Sequence, residues 1–445
     1  MRPAHWGLIA SLYVTQFLPV AFFFMGLPAI LRKEGMALER LGVLYLLGFV
    51  WVLKILWAPL VDRVRFGRLG HHRGWLILTQ GAMIGMLLLI GRTDGIADFP
   101  LLVGLSLVLT VFSATQDIAT DALTCRLLPA AQRGLGNSVQ VAGGLVGILF
   151  GGGALLALYP TLGWGGCMAL MAGILALTLV QILLFREPPA DGAGPAARPG
   201  YGRLWSFWRQ PGTGGWVLVM VTMPVGIGMT FGVLTPMLVD VGWSLERVGF
   251  ALNIVGSVVG LAAVFAAGWL LQRFGRRRVL VAAALAQAPI ILSVLPLAGG
   301  AGSGLVVMPS LALVFLIHNP LTTILVTIMM DRAGKGTEGT DFTAQYSLYS
   351  FMGFLSGAVA LQIAGAAGYP AMILCAALVA FAAWGLAFRL YREAGGGGAD
   401  LKEEPRTGKN RHGDFKIKTC GPRGETPIVA MAEPDGSGFL HDERA

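Results

Sequence analysis

Apolar residues fall into runs of about twenty, with polar and charged residues collected between the runs. At about 1.5 Å of rise per residue, a helical run of this length crosses the roughly 30 Å hydrocarbon core of a bilayer. Six such runs begin near Trp6, Gly42, Gly74, Leu101, Gly136 and Trp164, and six more near Gly214, Val248, Val279, Leu305, Phe342 and Tyr369. Residues 186–213 are polar and rich in Pro and Gly, which reads as a linker. Beyond Arg392 the chain turns to GGGG and then to mixed charge without apolar periodicity. The pattern predicts an all-α integral membrane protein of twelve transmembrane helices. It is divided into a bundle at 1–185, a cytoplasmic linker at 186–213, a second bundle at 214–392 and a disordered tail at 393–445.

Composition agrees with this. Only 13% of residues are charged against 55% hydrophobic, and the mean hydropathy is +0.69, values that belong to a membrane protein. The 63 glycines suit close helix approach in lipid. The net charge of +9 is a matter of topology, not of a nucleic-acid partner. Loops on one side carry Arg63, Arg65, Arg68, Arg73, Arg126, Arg133, Arg186, Arg198, Arg203, Arg209, Arg273, Arg276, Arg277, Arg278, Arg332 and Lys335. The other side has Arg32, Lys33, Arg40, Arg92 and Arg247. That asymmetry places both termini in the cytoplasm. The first span is too long for a signal-peptide core and reads as retained. Cys125, Cys167, Cys375 and Cys420 lie far apart, so neither a disulfide framework nor a metal site is expected. With no P-loop and no soluble catalytic segment, an enzyme is not expected and no cofactor is implied. Nothing demands an oligomer, so a monomer is expected.

The chemistry concentrates in FSATQDIATDALTCR, residues 112–126. Asp117 and Asp121, four apart, share a helix face inside a span, and intramembrane acids usually line a pathway. Gln116 and Thr120 form a second polar pair beside them. Lys54 lies in the second span at similar depth to Asp121 and is expected to pair with Asp121 or Asp117; the alternative is snorkelling to the interface. Gln16, flanked by Pro19 in the first span, is a candidate substrate hydrogen-bonder or an interhelical tie. Arg133, Asn137 and Gln140 fall on one face and would offer a cation and two amides to an oxygen-rich ligand, with anchoring as the plainer role for Arg133. In the second half, LVFLIHNPLTTIL (313–325) stands where the acidic stretch does in the first, but without carboxylates. His318, Asn319, Gln345 and Tyr346 are the substrate candidates there. Met220, Met223, Met229 and Met237 would suit soft Cu(I), yet no Cys or His completes a site and methionine commonly fills adaptable cavities. GGLVGILFGGG (143–153) reads as close helix packing.

An internal repeat links the halves. PLVDRVRFGR (59–68) and GWLLQRFGRRR (268–278) follow the second span of each half. They resemble the major facilitator loop motif G-x-x-x-D-R-x-G-R-R, whose charges pair with neighbouring helix ends in the outward-open state. The residues concerned are Asp62, Arg63 and Arg68 in the first copy and Gln272, Arg273, Gly275 and Arg276 in the second. Gln272 replaces the acid, and the first copy has Ala58 for Gly and two extra residues before Gly67. WVLKILWAPLVDR (51–63), SATQDIATDAL (113–123) and GLGNSVQVAGGLVG (134–147) are similar to the branch of the superfamily that holds the muropeptide permease AmpG and the RhtX/FptX siderophore permeases. The resemblance implies the major facilitator fold, a bacterial inner-membrane location and a small-molecule substrate, while the buried titratable groups Asp117, Asp121 and Lys54 favour protons over sodium as coupling ion. The glycine-asparagine run and the twelve-span length lean toward import of an iron-siderophore complex. Import of a muropeptide, drug/proton efflux, and a non-transporting scaffold whose tail binds a partner stay open.

Overall fold

The computed structural model describes residues 3–33, 36, 44, 47–94, 97–188 and 200–392. Arg40, Arg198, Cys420, the expected start of the second span at Gly42 and the whole tail 393–445 lie outside the described residues.

Every described span is helical, as apolar sequence in lipid requires when each backbone polar group must be satisfied internally. The spans are α1 (3–33), α2 (49–63), α3 (His71–Ile90), α4 (Phe99–Leu127), α5 (133–162) and α6 (164–184), followed by α7 (Thr213–Asp240), α8 (245–274), α9 (Arg276–Leu292), α10 (Gly304–Arg332), α11 (338–367) and α12 (369–390). The breaks between α5 and α6 and between α11 and α12 are single glycines, Gly163 (φ 66°) and Gly368 (φ 82°), in a backbone region that side chains disfavour. The expected linker is not featureless: Gly202–Trp208 forms a short helix. From it Arg203 reaches the buried Asp341 at the start of α11 (Nε to Oδ1 2.8 Å).

Four spans are irregular. α1, α5 and α8 each contain a π turn, at Phe22–Gly26, Leu149–Ala154 and Phe250–Val255, and α2 tightens to 3₁₀ at Lys54–Leu56. Such departures inside a helix often accompany functional sites. α1 and α5 pack along Gly143, Gly147 and Gly151, one per turn. A Cβ at these positions would stand 2.7 Å from Tyr13 Cβ, 2.6 Å from Phe17 Cβ and 2.1 Å from the Leu18 carbonyl oxygen. Close packing is therefore what the glycine run does.

The repeat is visible in the backbone, with a different register from the one expected. Gly275 (φ 80°, ψ 166°) separates α8 from α9, and its conformational twin before α3 is Gly70 (φ 88°, ψ 167°), not Gly67. Gly70 lies eight residues after Asp62 where Gly275 lies three after Gln272, so the first copy carries five extra residues, three of them in a 3₁₀ turn at Gly67–Leu69.

Apolar burial divides by half. The last six spans share one continuous core running from Trp216 to Tyr391, joined from the first six by Cys125 alone. The first six hold two separate clusters, one around Phe22, Met83 and Met171, the other around Leu12, Leu76 and Leu123. A buried polar layer lies between these clusters, made of Tyr13, Thr15 and Gln16, Lys54, Thr79 and Gln80, Ser113 to Asp117, and Thr178. It crosses five helices at one depth.

Candidate functional site

α1, α2, α4 and α5 converge on that polar layer. The ammonium of Lys54, fully buried on the 3₁₀ break of α2, forms an ion pair with Asp117 Oδ2. Gln16 donates its amide to the other Asp117 oxygen, and Ser113 holds the Gln16 backbone carbonyl at 3.0 Å. Of the two acids expected as its partner, Lys54 meets Asp117, one turn farther from the arginine-rich end than Asp121.

Asp121 has different company. Its Oδ1 accepts from the Tyr13 hydroxyl (2.8 Å) and from Gln140 Nε2 (3.0 Å), while Oδ2 is buried with no hydrogen-bond partner. Both donors are neutral. Only one of the two acids thus has a counter-cation in contact, and a buried charge without one is costly. Gln140, two turns along α5 from Arg133, belongs to this acid cluster, whereas Arg133 pairs elsewhere. Gln116, one residue before Asp117, is buried with both amide atoms unpartnered.

The second half reaches the layer through Tyr346, whose ring centroid is 4.7 Å from Lys54 Nζ; Trp51 lies 5.2 Å from it on the first-half side. An ammonium between two aromatic faces gains cation–π attraction in addition to its ion pair. His318 packs on Phe231 with ring centroids 4.4 Å apart, and its Nδ1 is buried without a partner. Asn319 donates to the Phe315 carbonyl of its own helix (3.4 Å). Gln345 is otherwise employed: its oxygen accepts from Trp216 Nε1 (2.7 Å) and its nitrogen donates to the carbonyls of Met329 and Asp341. It ties α7, α10 and α11 together and offers a ligand little. The methionines are buried among apolar neighbours, and no group of three His, Cys, Asp or Glu able to hold a metal occurs among the described residues.

At the arginine-rich end the two halves are fastened. Asp62 at the end of α2 accepts from the backbone N–H groups of Gly339 (3.2 Å) and Thr340 (2.6 Å) and from the Thr340 hydroxyl (2.6 Å). A carboxylate there meets the positive end of α11. Arg133 donates to Asp331 Oδ1 (3.0 Å) and to the Met330 carbonyl (3.2 Å), so it is a fastener and not a ligand of the polar layer. Arg276 grips the other Asp331 oxygen (2.9 Å) and the Ala130 carbonyl. Asn137 donates to Arg133's own carbonyl and lies 3.7 Å from Met330 Sδ. Ser138 closes on the Val264 carbonyl where Gly134 and Gly268 bring α5 and α8 together. Of the remaining loop-motif residues, Arg63, Arg68, Gln272 and Arg273 are exposed, Arg273 lying over the Phe274 ring, and Gly275 ends α8.

Tyr13 and Asp331 were not among the expected residues. Tyr13 lies three before Gln16, hence on the same face of α1, and that spacing was the available signal. Asp331 is an acid in an otherwise basic loop, MDRAGK, which was the other.

A family model described as Major Facilitator Superfamily matches residues 9–361. The anhydromuropeptide permease of Escherichia coli K12 is 30% identical over 268 residues, 59% of this chain and 55% of that protein. A Haemophilus influenzae protein of uncharacterized role is 27% identical over 275 residues, 59% of this chain and 64% of its own. A putative transporter AmpG 4 of Rickettsia felis is 22% identical over 291 residues, 63% of this chain and 70% of its own. The chain spans about half the length of the first curated relatives it matches. Among solved structures, the human organic anion transporter MFSD10 superposes with a TM-score of 0.70 at 15% identity, over 87% of this chain and 100% of that one. The E. coli fucose:proton symporter does so with a TM-score of 0.65 at 14% identity, over 87% and 98%. At such identities these two speak for the fold alone.

Proposed function

The chain belongs to the Major Facilitator Superfamily, a family of transporters, and we propose that it is a proton-coupled secondary carrier importing a cell-wall fragment of the anhydromuropeptide type. The observation that carries the coupling is the buried Lys54–Asp117 pair with Asp121 beside it. Asp117 is the acid with a cation in contact, Lys54. Asp121, facing only neutral donors, takes up and releases the coupling proton at Oδ2, because protonation removes the uncompensated charge there. Substrate entering beside Tyr346 competes for Lys54, and re-formation of the pair returns the empty carrier.

The substrate class rests on the anhydromuropeptide permease relative, and this moves the weight away from a siderophore complex. Unpartnered hydrogen-bonding groups at Gln116 and His318 suit a ligand rich in hydroxyls, amides and carboxylates. By the positive-inside rule the arginine-rich end and both termini are cytoplasmic. The fastening by Asp62, Arg133 and Arg276 then closes the cytoplasmic end, the arrangement that receives substrate from the periplasm.

The test is uptake of radiolabelled anhydromuropeptide into cells lacking their own permease, with a ferric-siderophore panel in parallel. Protonophore-sensitive uptake of the muropeptide, lost in Asp121→Asn, is expected. Uptake of a ferric complex instead, or muropeptide uptake indifferent to the protonophore and to Asp121→Asn, overturns this reading.

A further inference from the structure

A second site lies on the outside of the last six spans, away from the polar layer. A groove of about 420 Å³ runs between α8, α9 and α10. Small side chains hollow it out, Ala263, Ala266 and Ala267 on one wall and Ala282 and Ala283 on the other, and Pro320 of α10 lies along its floor. From Phe274 to Ala263 it covers twelve residues of α8, eleven steps of about 1.5 Å or roughly 16 Å. That is about half the roughly 30 Å hydrocarbon thickness, the depth of one leaflet.

The groove is apolar along this depth and ends at a cation. Arg278, exposed, lines its mouth at the arginine-rich end. Comparison of the two halves isolates Arg278. After Gly70, Arg73 is consumed on the carbonyls of Ile182 and Leu183 at the end of α6. After Gly275, Arg276 is held by Asp331, and Arg277 performs the capping role on Phe388 at the end of α12. Arg278 is left lining the groove mouth, and the lining holds no carboxylate.

We propose that this groove is a binding site for an anionic phospholipid, one acyl chain lying between α8, α9 and α10 and the phosphate on Arg278. The positive mouth complements an anionic headgroup, and the apolar length matches a chain in the same leaflet. The occupant would hold the start of α9, two residues from Arg276, against the bilayer.

The experiment is native mass spectrometry of the purified full-length chain titrated with phosphatidylglycerol and with phosphatidylcholine of identical acyl chains. One resolved lipid should bind with a clear preference for phosphatidylglycerol. Arg278→Gln should reduce that preference about five-fold, the contribution of one arginine at an anionic surface. Ala266→Leu together with Ala283→Leu, which fill the groove, should weaken both lipids, and Arg68→Gln, an exposed arginine of the other half, should change nothing. Equal binding of the two lipids would mean ordinary annular contact and overturn the proposal. So would a preference that survives Arg278→Gln or the groove-filling pair. None of these readouts depends on which substrate is carried.

Discussion

Replacing Lys54 by Met leaves the Asp117 carboxylate, 2% exposed as a residue, with only the Gln16 amide for company. Replacing Asp117 by Asn leaves the Lys54 ammonium buried against two aromatic faces. Removing one partner of a buried ion pair costs about 3–5 kcal/mol, whereas removing both together is often near neutral. In the Lys54→Met/Asp117→Asn double variant the Asn side-chain oxygen still accepts from Gln16, so little is orphaned. With each single costing about 3–5 kcal/mol and the double near neutral, the expected coupling energy is about 6–10 kcal/mol, well above the few tenths by which independent sites depart from additivity. For a cooperative unit of about 150–250 residues a kilocalorie moves the melting midpoint by about 2–4 °C. Each single variant should then melt about 6–20 °C below the parent, the double variant close to it, and none should carry substrate against a gradient. Thermal unfolding in detergent measures this, with Tyr346→Leu as a control for the cation–π contact, worth about 2 kcal/mol or less. A double variant that loses the sum of the two singles would refute the reasoning, as would singles within about 2 °C of the parent.

Tyr13→Phe removes a 2.8 Å donor from Asp121; proton-driven accumulation should fall while exchange of substrate across the membrane persists, measured by uptake against counterflow. Gly151→Ala would put a methyl 2.1 Å from the Leu18 carbonyl oxygen and should cost about 1–3 kcal/mol as overpacking, read by the same melting assay. Cys125 is buried against the second-half core, so maleimide labelling of this thiol, with the other cysteines replaced, reports opening of the arginine-rich end. Asp62→Asn weakens charge-assisted hydrogen bonds worth about 1.5–3 kcal/mol and should speed labelling about tenfold or more. Arg133→Gln breaks a partly exposed pair worth about 1 kcal/mol or less and should speed it less than about fivefold.

The spans were legible because lipid leaves the backbone so few options: α4 begins at Phe99 where Leu101 was expected, and α10 at Gly304 for Leu305. Asp117 and Asp121 were legible for the same reason, since an acid in an apolar run stands out. Partners were not. The i, i+4 rule puts both acids on one face, but which of them meets Lys54 depends on how far α2 is displaced along α4, and a 3₁₀ break at Lys54 alters that offset. The partners of Arg133 and Gln345 were not legible because a linear sequence does not say whether a polar side chain looks into its own half, across to the other, or along its helix. The same limit hid Tyr13, whose phenol is an unremarkable residue until Asp121 is set opposite it.

The polar layer has a consequence for how the chain is made. Helices leave the translocon in order, so α2 enters the bilayer with Lys54 before α4 has delivered Asp117. A lone lysine or aspartate at mid-span costs about 2.5–3.5 kcal/mol to insert. α2 also narrows to a 3₁₀ turn at that residue, with the Trp57 N–H on the Lys54 carbonyl, and such bonds have poorer geometry than α-helical ones. Its residence in the membrane thus depends on a segment synthesised about sixty residues later. Until the two meet, the nascent first half presents an unsatisfied charge of the kind that insertases shelter and membrane proteases remove. The feature read as the engine of transport would equally act as an inspection point during biosynthesis.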